Sequence, residues 1–193
     1  TEELCGHAFS ASAISAVNKT LDESLERFAK RPLEEVYPYL VLDARYEKVR
    51  HGGQLLDCAV LIALGIDPKG KRSILGLSVA LSEAEVHWRQ FLQSLQLRGL
   101  HGVQFIVSDD HAGLGAARTA VFPAVPWQRC QFHLQQNAQA YIPRLDQRAA
   151  VAEAIRSVFN CADRPAAERR LKEIVALYAT SAPKLSAWME ANL

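Results

Sequence analysis

The chain has 193 residues, of which 49% are hydrophobic and 22% are charged, and its net charge at pH 7 is +1. These values are typical of a globular domain that buries a core without disulfides, and they exclude a disordered or fibrous chain. The four cysteines are scattered, and no apolar run approaches the roughly 20 residues of a membrane span. We therefore expect a reduced, cytoplasmic protein that is not inserted in a membrane.

The N-terminal part of the chain changes from a helical to a strand pattern near Pro32. Residues 10–31 repeat apolar side chains at helical spacing and predict short helices, with Ser10 or Ser12 as an N-cap. A helix-turn-helix remnant and a plain helical lead-in both fit this stretch. Three strands joined by short turns follow and form an antiparallel meander, at residues 39–50, 55–66 and 73–81.

The middle of the chain alternates helices with apolar strands. The sequence SEAE at residues 82–85 has the form of a capping box and predicts the start of a helix that Gly99 ends. Residues 103–108 form a continuous apolar run, which indicates a buried strand parallel to its neighbour. A second helix and a short extended segment within residues 125–133 come next. Beyond residue 134 every segment has a helical pattern.

This order of elements predicts an α/β fold in which helices flank a mixed sheet. An antiparallel three-strand meander continued by parallel strands is the ribonuclease H-like topology, and an all-helical insertion would begin after it. We expect a helical N-terminal segment (1–31), a ribonuclease H-like core (32–133) and a helical insertion segment (134–193). The chain does not begin with methionine and its last residues are still helical in pattern, which favours a truncated protein.

Two aspartates come directly after apolar runs that are predicted to be strands of the sheet. Asp43 follows YLVL in the first strand, and Asp109 follows VQFIVS. Because these strands are expected to be neighbours, the two carboxylates would lie close together and repel each other. Binding of Mg²⁺ or Mn²⁺ would relieve this repulsion, and two such ions about 4 Å apart can support phosphoryl transfer. The alternative is turn and cap chemistry, with Asp110 as the N-cap of the next helix.

Four separate blocks of the sequence resemble, in this order, the core of the Mutator-type transposases of bacterial insertion sequences. The blocks are YLVLDARYEKVR, the stretch from ALGIDPKGKR to LQLRGL, VQFIVSDDHAGLGAA and PWQRCQFHLQQN. The resemblance extends from about residue 32 to 178.

This resemblance implies a DDE transposase, in which two aspartates and a glutamate hold two magnesium ions on a ribonuclease H-like domain. Such an enzyme cuts DNA at the transposon ends and joins a 3′ hydroxyl to target DNA. Asp43 matches the first catalytic aspartate of the family and Asp109 the second. Asp110 occupies the neighbouring variable position, where we expect it to cap a helix.

A Cys-x-x-His pair lies in the sequence RCQFH. Cys130 and His133 match a signature that follows the last core strand in this superfamily. The resemblance implies that they pack and hydrogen-bond near the active site, and that Arg129 and Asn137 support the same local network. The pair alone could also be half of a zinc site. A structural zinc usually needs four ligands, and the other cysteines and histidines form a poor second half by spacing, so zinc is not expected.

The third carboxylate of the family has no clear match. In the family it follows a helical insertion, on a basic helix, and no such segment appears in residues 134–193. Asp146 has a spacing that suits transposases without an insertion, but we do not favour it. Four glutamates have helical positions typical of solvated faces: Glu153, Glu168, Glu173 and Glu190. The chain would then supply two of three metal ligands, and DNA cutting would be slow or absent.

Basic side chains around the predicted site indicate contacts with DNA phosphates. One group is on the first strand and the other in the turn after the second strand: Arg45, Lys48 and Arg50, and Lys69, Lys71 and Arg72. A solvated turn explains the second group equally well. The resemblance implies DNA partners, namely the terminal inverted repeats and the target, and a homodimer or higher assembly. Two alternatives stay open: an inactive remnant that regulates by binding DNA or transposase, and a structure-specific nuclease.

Overall fold

The computed structural model describes Gly6 and residues 8–193, so the first part of the predicted N-terminal segment lies outside the described residues. The chain divides into two compact units, Thr1–Gln128 and Arg129–Leu193. The first unit contains the sheet and the second is helical. The boundary between them lies a few residues before the one expected from the sequence.

In the described part of the N-terminal segment, residues 11–30 form one continuous helix, α1 (Ala11–Lys30). Ser10 is its N-cap and accepts a hydrogen bond from the N–H of Ala13 at 3.1 Å, which confirms one of the two predicted caps. The expectation of several short helices is wrong. Neither glycine nor proline occurs between residues 11 and 30, so nothing in the backbone interrupts the helix.

Five strands form one mixed sheet in the order β3-β2-β1-β4-β5. The strands β1 (Tyr39–His51), β2 (Gln54–Ile66) and β3 (Arg72–Ala80) form the predicted antiparallel meander. The strand β4 (Phe105–Ser108) pairs in parallel with β1, and β5 (Trp127–Arg129) is the edge strand beside it. This is the ribonuclease H-like arrangement expected from the sequence.

The helices α2 (Glu85–Leu97) and α3 (Ala112–Val121) pack on one face of the sheet. The predicted capping box is wrong, because the N-cap of α2 is Ala84, which makes no side-chain cap bond. Ser82 instead belongs to the preceding loop. The backbone of that loop packs against Gly113 of α3, so a contact distant in sequence determines where α2 begins.

Alternation along β1 assigns its residues to the two faces of the sheet. Leu40 and Leu42 are buried in the core that α2 and α3 cover. Val41 and Asp43 are half-buried and therefore belong to the opposite face. The first aspartate of the predicted site is thus on the face that α2 and α3 leave open.

The second unit is helical, as expected. Its helices are α4 (Gln131–Ala138), α5 (Arg148–Phe159), α6 (Arg164–Tyr178) and α7 (Pro183–Asn192), with two short 3-10 turns after α4. They enclose a separate core around Ile155, Ile174 and Leu185.

The charged side chains of this unit pair along the helix surfaces. Three of the four glutamates bind an arginine three or four positions away, in the pairs Glu153–Arg156, Glu168–Arg164 and Glu173–Arg170. Asp146 likewise pairs with Arg144. These contacts agree with the interpretation of the glutamates as solvated helix faces. No helix in the described part of the chain combines the length and apolarity needed to cross a membrane.

Candidate active site

Asp43 and Asp109 lie at the same level of two neighbouring parallel strands. Val41 of β1 is directly opposite Val107 of β4, and each aspartate comes two residues later in its own strand direction. Side chains two residues apart share a face of a sheet, and neighbouring strands are about 4.8 Å apart. Each aspartate therefore follows a directly paired position of the two adjacent strands.

The burial pattern of the neighbouring residues indicates that both acids are on the same face of the sheet. Ser108, which precedes Asp109, is 1% exposed and faces the core, whereas Val107 and Asp109 are half-buried. Asp43 follows the buried Leu42 in the same manner. Both acids thus project from the face of the sheet that α2 and α3 leave open, at the carboxyl ends of the paired parts of the strands.

A hydrogen bond to the next peptide group restrains each carboxylate. Oδ1 of Asp43 accepts the N–H of Ala44 at 3.0 Å, and Oδ1 of Asp109 accepts the N–H of Asp110 at 2.7 Å. The two side chains therefore have matching local geometry. This geometry limits their rotation, which favours binding of a shared ligand.

The predicted cap role of Asp110 is wrong. The N-cap of α3 is His111, which makes no side-chain cap bond, and the helix begins at Ala112. Asp110 lies one residue before the N-cap and is exposed. Asp110 therefore does not occupy the N-cap position.

Ser108 and Trp127 connect the second aspartate to the edge strand. Oγ of Ser108 donates to the carbonyl oxygen of Asp109 at 2.7 Å and accepts from Nε1 of Trp127 at 2.9 Å. The ring of Trp127 packs against the core, and the sequence analysis did not identify the role of the serine. A single polar residue at the end of an apolar strand, directly before an acid, is the signal that could have identified it.

The loop before α2 packs tightly on the first turn of α3, next to Asp109. A Cβ atom on Gly113 would lie 2.2 Å from the carbonyl oxygen of Glu83, so the two backbones can approach only because residue 113 is glycine. The carboxylate of Glu83 lies 3.9 Å from Nδ1 of His111. Sequence analysis did not identify Glu83 or Gly113 as part of this region.

The two predicted basic groups lie at opposite ends of the sheet. Arg45 follows Asp43 by two residues on the same face of β1 and forms an ion pair with Glu47 at 2.5 Å. Lys48 and Arg50 extend further along the β1–β2 hairpin, and both are exposed. This first group is therefore on the side of the sheet where β1 passes the two aspartates.

The second basic group is at the other end, because Ile66, which precedes the β2–β3 turn, pairs with Tyr39 at the start of β1. Asp67 organises this turn: its Oδ1 accepts the N–H groups of Lys69 at 2.8 Å and Lys71 at 2.9 Å. Arg72 begins β3 on the same side. The structure thus does not bring this group to the two aspartates.

The Cys-x-x-His residues belong to the helical unit. Cys130 is the N-cap residue of α4, and His133 lies within the first turns of that helix. Asn137 is exposed near its end. Arg129 donates from Nη1 to Oδ1 of Asn192 in α7 at 3.0 Å, so this hydrogen bond links the two ends of the unit.

Comparison with known protein families shows which family the chain belongs to. The family model "Transposase, Mutator family" matches residues 1–193. The chain belongs to the Mutator family of transposases. This confirms the resemblance that the four sequence blocks indicated.

Individual members of the family are similar over nearly the whole chain. The transposase for insertion sequence element IS406 of Burkholderia multivorans is 56% identical over 183 residues, which cover 95% of this chain and 47% of that protein. The transposase for ISRM5 of Rhizobium meliloti is 48% identical over 193 residues, 100% of this chain and 48% of that protein. This Mutator-family chain thus spans about half the length of the curated relatives it matches.

Among solved structures, the magnesium-bound catalytic core domain of HTLV-2 integrase, in its trimeric form, matches 77% of this Mutator-family chain and 87% of that chain. Its sequence identity is 13% and its TM-score is 0.28.

The two aspartates of this transposase chain suit magnesium by their donor chemistry. Mg²⁺ prefers oxygen ligands and is usually bound by one or two carboxylates together with waters and substrate phosphates. Asp43 and Asp109 offer such a pair from adjacent strands. Within Gly6 and residues 8–193, no group of three or more Asp, Glu, His or Cys side chains is placed to hold a metal. The residues therefore fit a cation that obtains its other ligands from water and substrate.

Proposed function

We propose that this chain carries the first two metal ligands of a DNA transposase active site. Asp43 and Asp109 hold Mg²⁺ or Mn²⁺ for cleavage at the transposon ends and for strand transfer into target DNA. The observation that carries this proposal is the pairing of Val41 with Val107, which precede Asp43 and Asp109 by two residues each. Membership of the Mutator family supports it.

The residues around the two acids have distinct roles in this proposal. A bound cation would polarise the scissile phosphate and activate the attacking oxygen. Asp43 and Asp109 bind and orient it, since their carboxylates are restrained by the following peptide groups. Ser108 holds the carbonyl of Asp109 and so fixes where β4 ends. Arg45, on the same face as Asp43, would contact a DNA phosphate.

The remaining assignments follow from the same proposal. Residues 32–133 form the catalytic core, residues 134–193 form a helical insertion, and residues 1–31 precede both. The partners are the terminal inverted repeats and the target DNA, and the protein acts as a homodimer or higher assembly. Cys130 and His133, with Arg129 and Asn137, support the start of the helical segment. No described residue is assigned as the third carboxylate.

Metal titration tests this proposal without depending on the activity of the chain. Mn²⁺ binding would be measured by electron paramagnetic resonance for the unaltered chain, Asp43→Asn and Asp109→Asn. Asp57→Asn, which changes an exposed acid of β2, is the matched control. Loss of one of two carboxylate ligands is expected to weaken Mn²⁺ binding about tenfold or more, equivalent to about 1.4 kcal/mol, with no change for the control. Equal Mn²⁺ binding by all four proteins would contradict the proposed metal site.

A further inference from the structure

The second half of the outer edge of β3, at Leu77 and Val79, presents backbone groups that no described residue pairs with. β3 is the terminal strand of the sheet, opposite β5. The carbonyl oxygen of Leu75 accepts from Nη2 of Arg98 at 2.9 Å, so it points away from β2. Leu75 lies at the irregularity of the β2–β3 ladder, so the register gives the direction of the later residues. His51 and Gln54 close the two-residue hairpin turn as a hydrogen-bonded pair, so Val60 and Ile62 turn their backbone groups toward β1. The backbone groups of their β3 partners, Val79 and Leu77, therefore point away from β2. Among the described residues, neither makes a backbone bond beyond the sheet ladder.

The second half of this edge lacks the features by which proteins usually block strand addition. Charged side chains, prolines and bulges along an edge prevent another chain from pairing with it. Residues 73–82 contain no charged residue and no proline. The irregularity opposite Ala63 and Leu64 is confined to the first half of β3. The second half is therefore available to an additional strand.

A groove runs beside this half of β3. Its volume is about 290 Å³, and one wall consists of residues 77–80 of the edge strand. The other wall is one face of α2, where residues at helical spacing line the groove: His87, Gln90, Phe91 and Ser94. A groove between an exposed edge strand and a helix is the geometry in which extended peptides bind by adding a strand.

One end of the groove is positively charged. Nε of Arg98 donates to the carbonyl oxygen of Arg31 at 2.9 Å, and its Nη2 donates to those of Leu75 and Phe28. Within the described part of the chain, no hydrogen bond of Arg98 uses Nη1. A Cβ atom on Gly76 would lie 3.2 Å from this nitrogen, so the glycine leaves it room beside the strand.

Arg31 adds to the charge at this end. Neither Arg31 nor Arg98 forms an ion pair with a carboxylate of the described residues, since both bind only backbone carbonyls and an aromatic ring. Burial and then the proximity of Arg31 lower the pKa of the Arg98 guanidinium. Two uncompensated guanidinium groups favour an acidic ligand.

We propose that this groove binds an extended acidic segment of another polypeptide. The segment adds to the sheet as a strand beside β3, pairs with the backbone of Leu77 and Val79, and places a carboxylate on Nη1 of Arg98. His87, Gln90 and Ser94 contact alternate side chains of the segment. This interaction is independent of the metal site, because the groove is at the β3 edge and Asp43 and Asp109 are on the central strands β1 and β4.

Defined peptides test the proposal on the unaltered chain. The probes are nine-residue peptides of alternating threonine and valine with a single glutamate at the third, fifth or seventh position. Matched peptides carry lysine instead. With the ¹⁵N-labelled chain, at least one glutamate peptide is expected to cause saturable shifts of the Leu77 and Val79 amide signals. Its affinity should exceed that of the lysine peptide by about tenfold or more.

One pair of variants isolates the backbone contact. Val79→Pro removes an N–H that points away from β2, which an edge strand tolerates, while Val79→Ala keeps it. Binding should be lost with Val79→Pro and kept with Val79→Ala, at similar urea midpoints. If Val79→Pro does not fold, N-methylation of the peptide along its pairing edge gives the same test and should abolish binding.

Four results would overturn the proposal. They are an absence of shifts at β3 with all three glutamate peptides, equal affinity for the lysine peptides, binding that survives removal of the pairing N–H groups, and closure of the edge by a second copy of the chain. The last would appear as self-association, measured by sedimentation, that Val79→Pro removes and Val79→Ala does not.

Discussion

Val41 lies directly opposite Val107 in the parallel pair of β1 and β4, and an aspartate follows each valine two residues later. Asp43 shares a face of β1 with Val41, and Asp109 comes directly after β4. In the proposed site, the two aspartates act as a pair.

If both acids bind the same cation, as proposed, their contributions to its binding should not be additive. Asp43→Asn and Asp109→Asn should each weaken Mn²⁺ binding about tenfold or more, and the double variant should lose less than the product of the two effects. Calorimetric titration of the four proteins measures this. Fully multiplicative losses would indicate that the two carboxylates act at separate places.

The close approach of Gly113 to the loop before α2 predicts a large loss of stability in Gly113→Ala. The new Cβ would lie 2.2 Å from a backbone oxygen of Glu83, so α3 or the loop must shift. Overpacking of this kind costs about 1–3 kcal/mol in the free energy of unfolding. Urea unfolding monitored by circular dichroism measures the change.

Gly115→Ala is the matched control for this prediction. A Cβ atom at residue 115 meets nothing within 4 Å, and the residue lies inside the same helix. Alanine favours a helix interior over glycine by about 1 kcal/mol, so this variant should be more stable than the unaltered chain. Equal effects of the two substitutions would show that the contact with Glu83 is unimportant.

The hydrogen bond between Ser108 and Trp127 predicts that Ser108 contributes more to the free energy of unfolding than its small side chain would suggest. Ser108→Ala leaves Nε1 of Trp127 without its acceptor and should cost about 1–3 kcal/mol of unfolding free energy. Once Trp127→Phe has removed that donor, the same serine substitution should cost less. A double-mutant cycle by urea unfolding measures this coupling, and a coupling energy near zero would contradict it.

The strands could be predicted from the sequence because their signals are local, and the signal that indicated the two acids is also local. Residues 39–50 begin with an apolar run and continue with β-branched, aromatic and charged residues over the length of a strand. In the structure, β1 extends over Tyr39–His51. An aspartate directly after a buried apolar run is also visible without any tertiary contact. The pairing of β4 with β1 was expected from the ribonuclease H-like topology that the order of elements predicted.

The helix starts and the supporting contacts could not be predicted in this way. Ser82 has the local pattern of a cap, but the backbone contact between Glu83 and Gly113 determines the path of the loop. Ser108 and Trp127 are 19 residues apart, and Arg98 reaches the carbonyl of Arg31 across 67 residues. Such contacts depend on the complete fold, and no pattern within a short window indicates them.

The positions of the two basic groups predict different effects on DNA binding. Arg45, Lys48 and Arg50 follow Asp43 along β1, whereas the turn with Lys69, Lys71 and Arg72 is at the opposite end of β1 and β2. Replacing either group by alanine removes three positive charges, so the two triple variants are matched in net charge. If DNA phosphates approach the two aspartates, only the first variant should bind DNA markedly more weakly.

Fluorescence anisotropy with a 30-base-pair duplex, repeated at several salt concentrations, measures this difference. For every DNA phosphate that a substitution leaves without its basic partner, the slope of log affinity against log salt should fall by about 0.9. The first variant should therefore show a shallower slope, and the second should keep the slope of the unaltered chain. A larger effect of the turn residues would place the DNA at the other end of the sheet, away from Asp43 and Asp109, and would contradict the proposed path of the DNA.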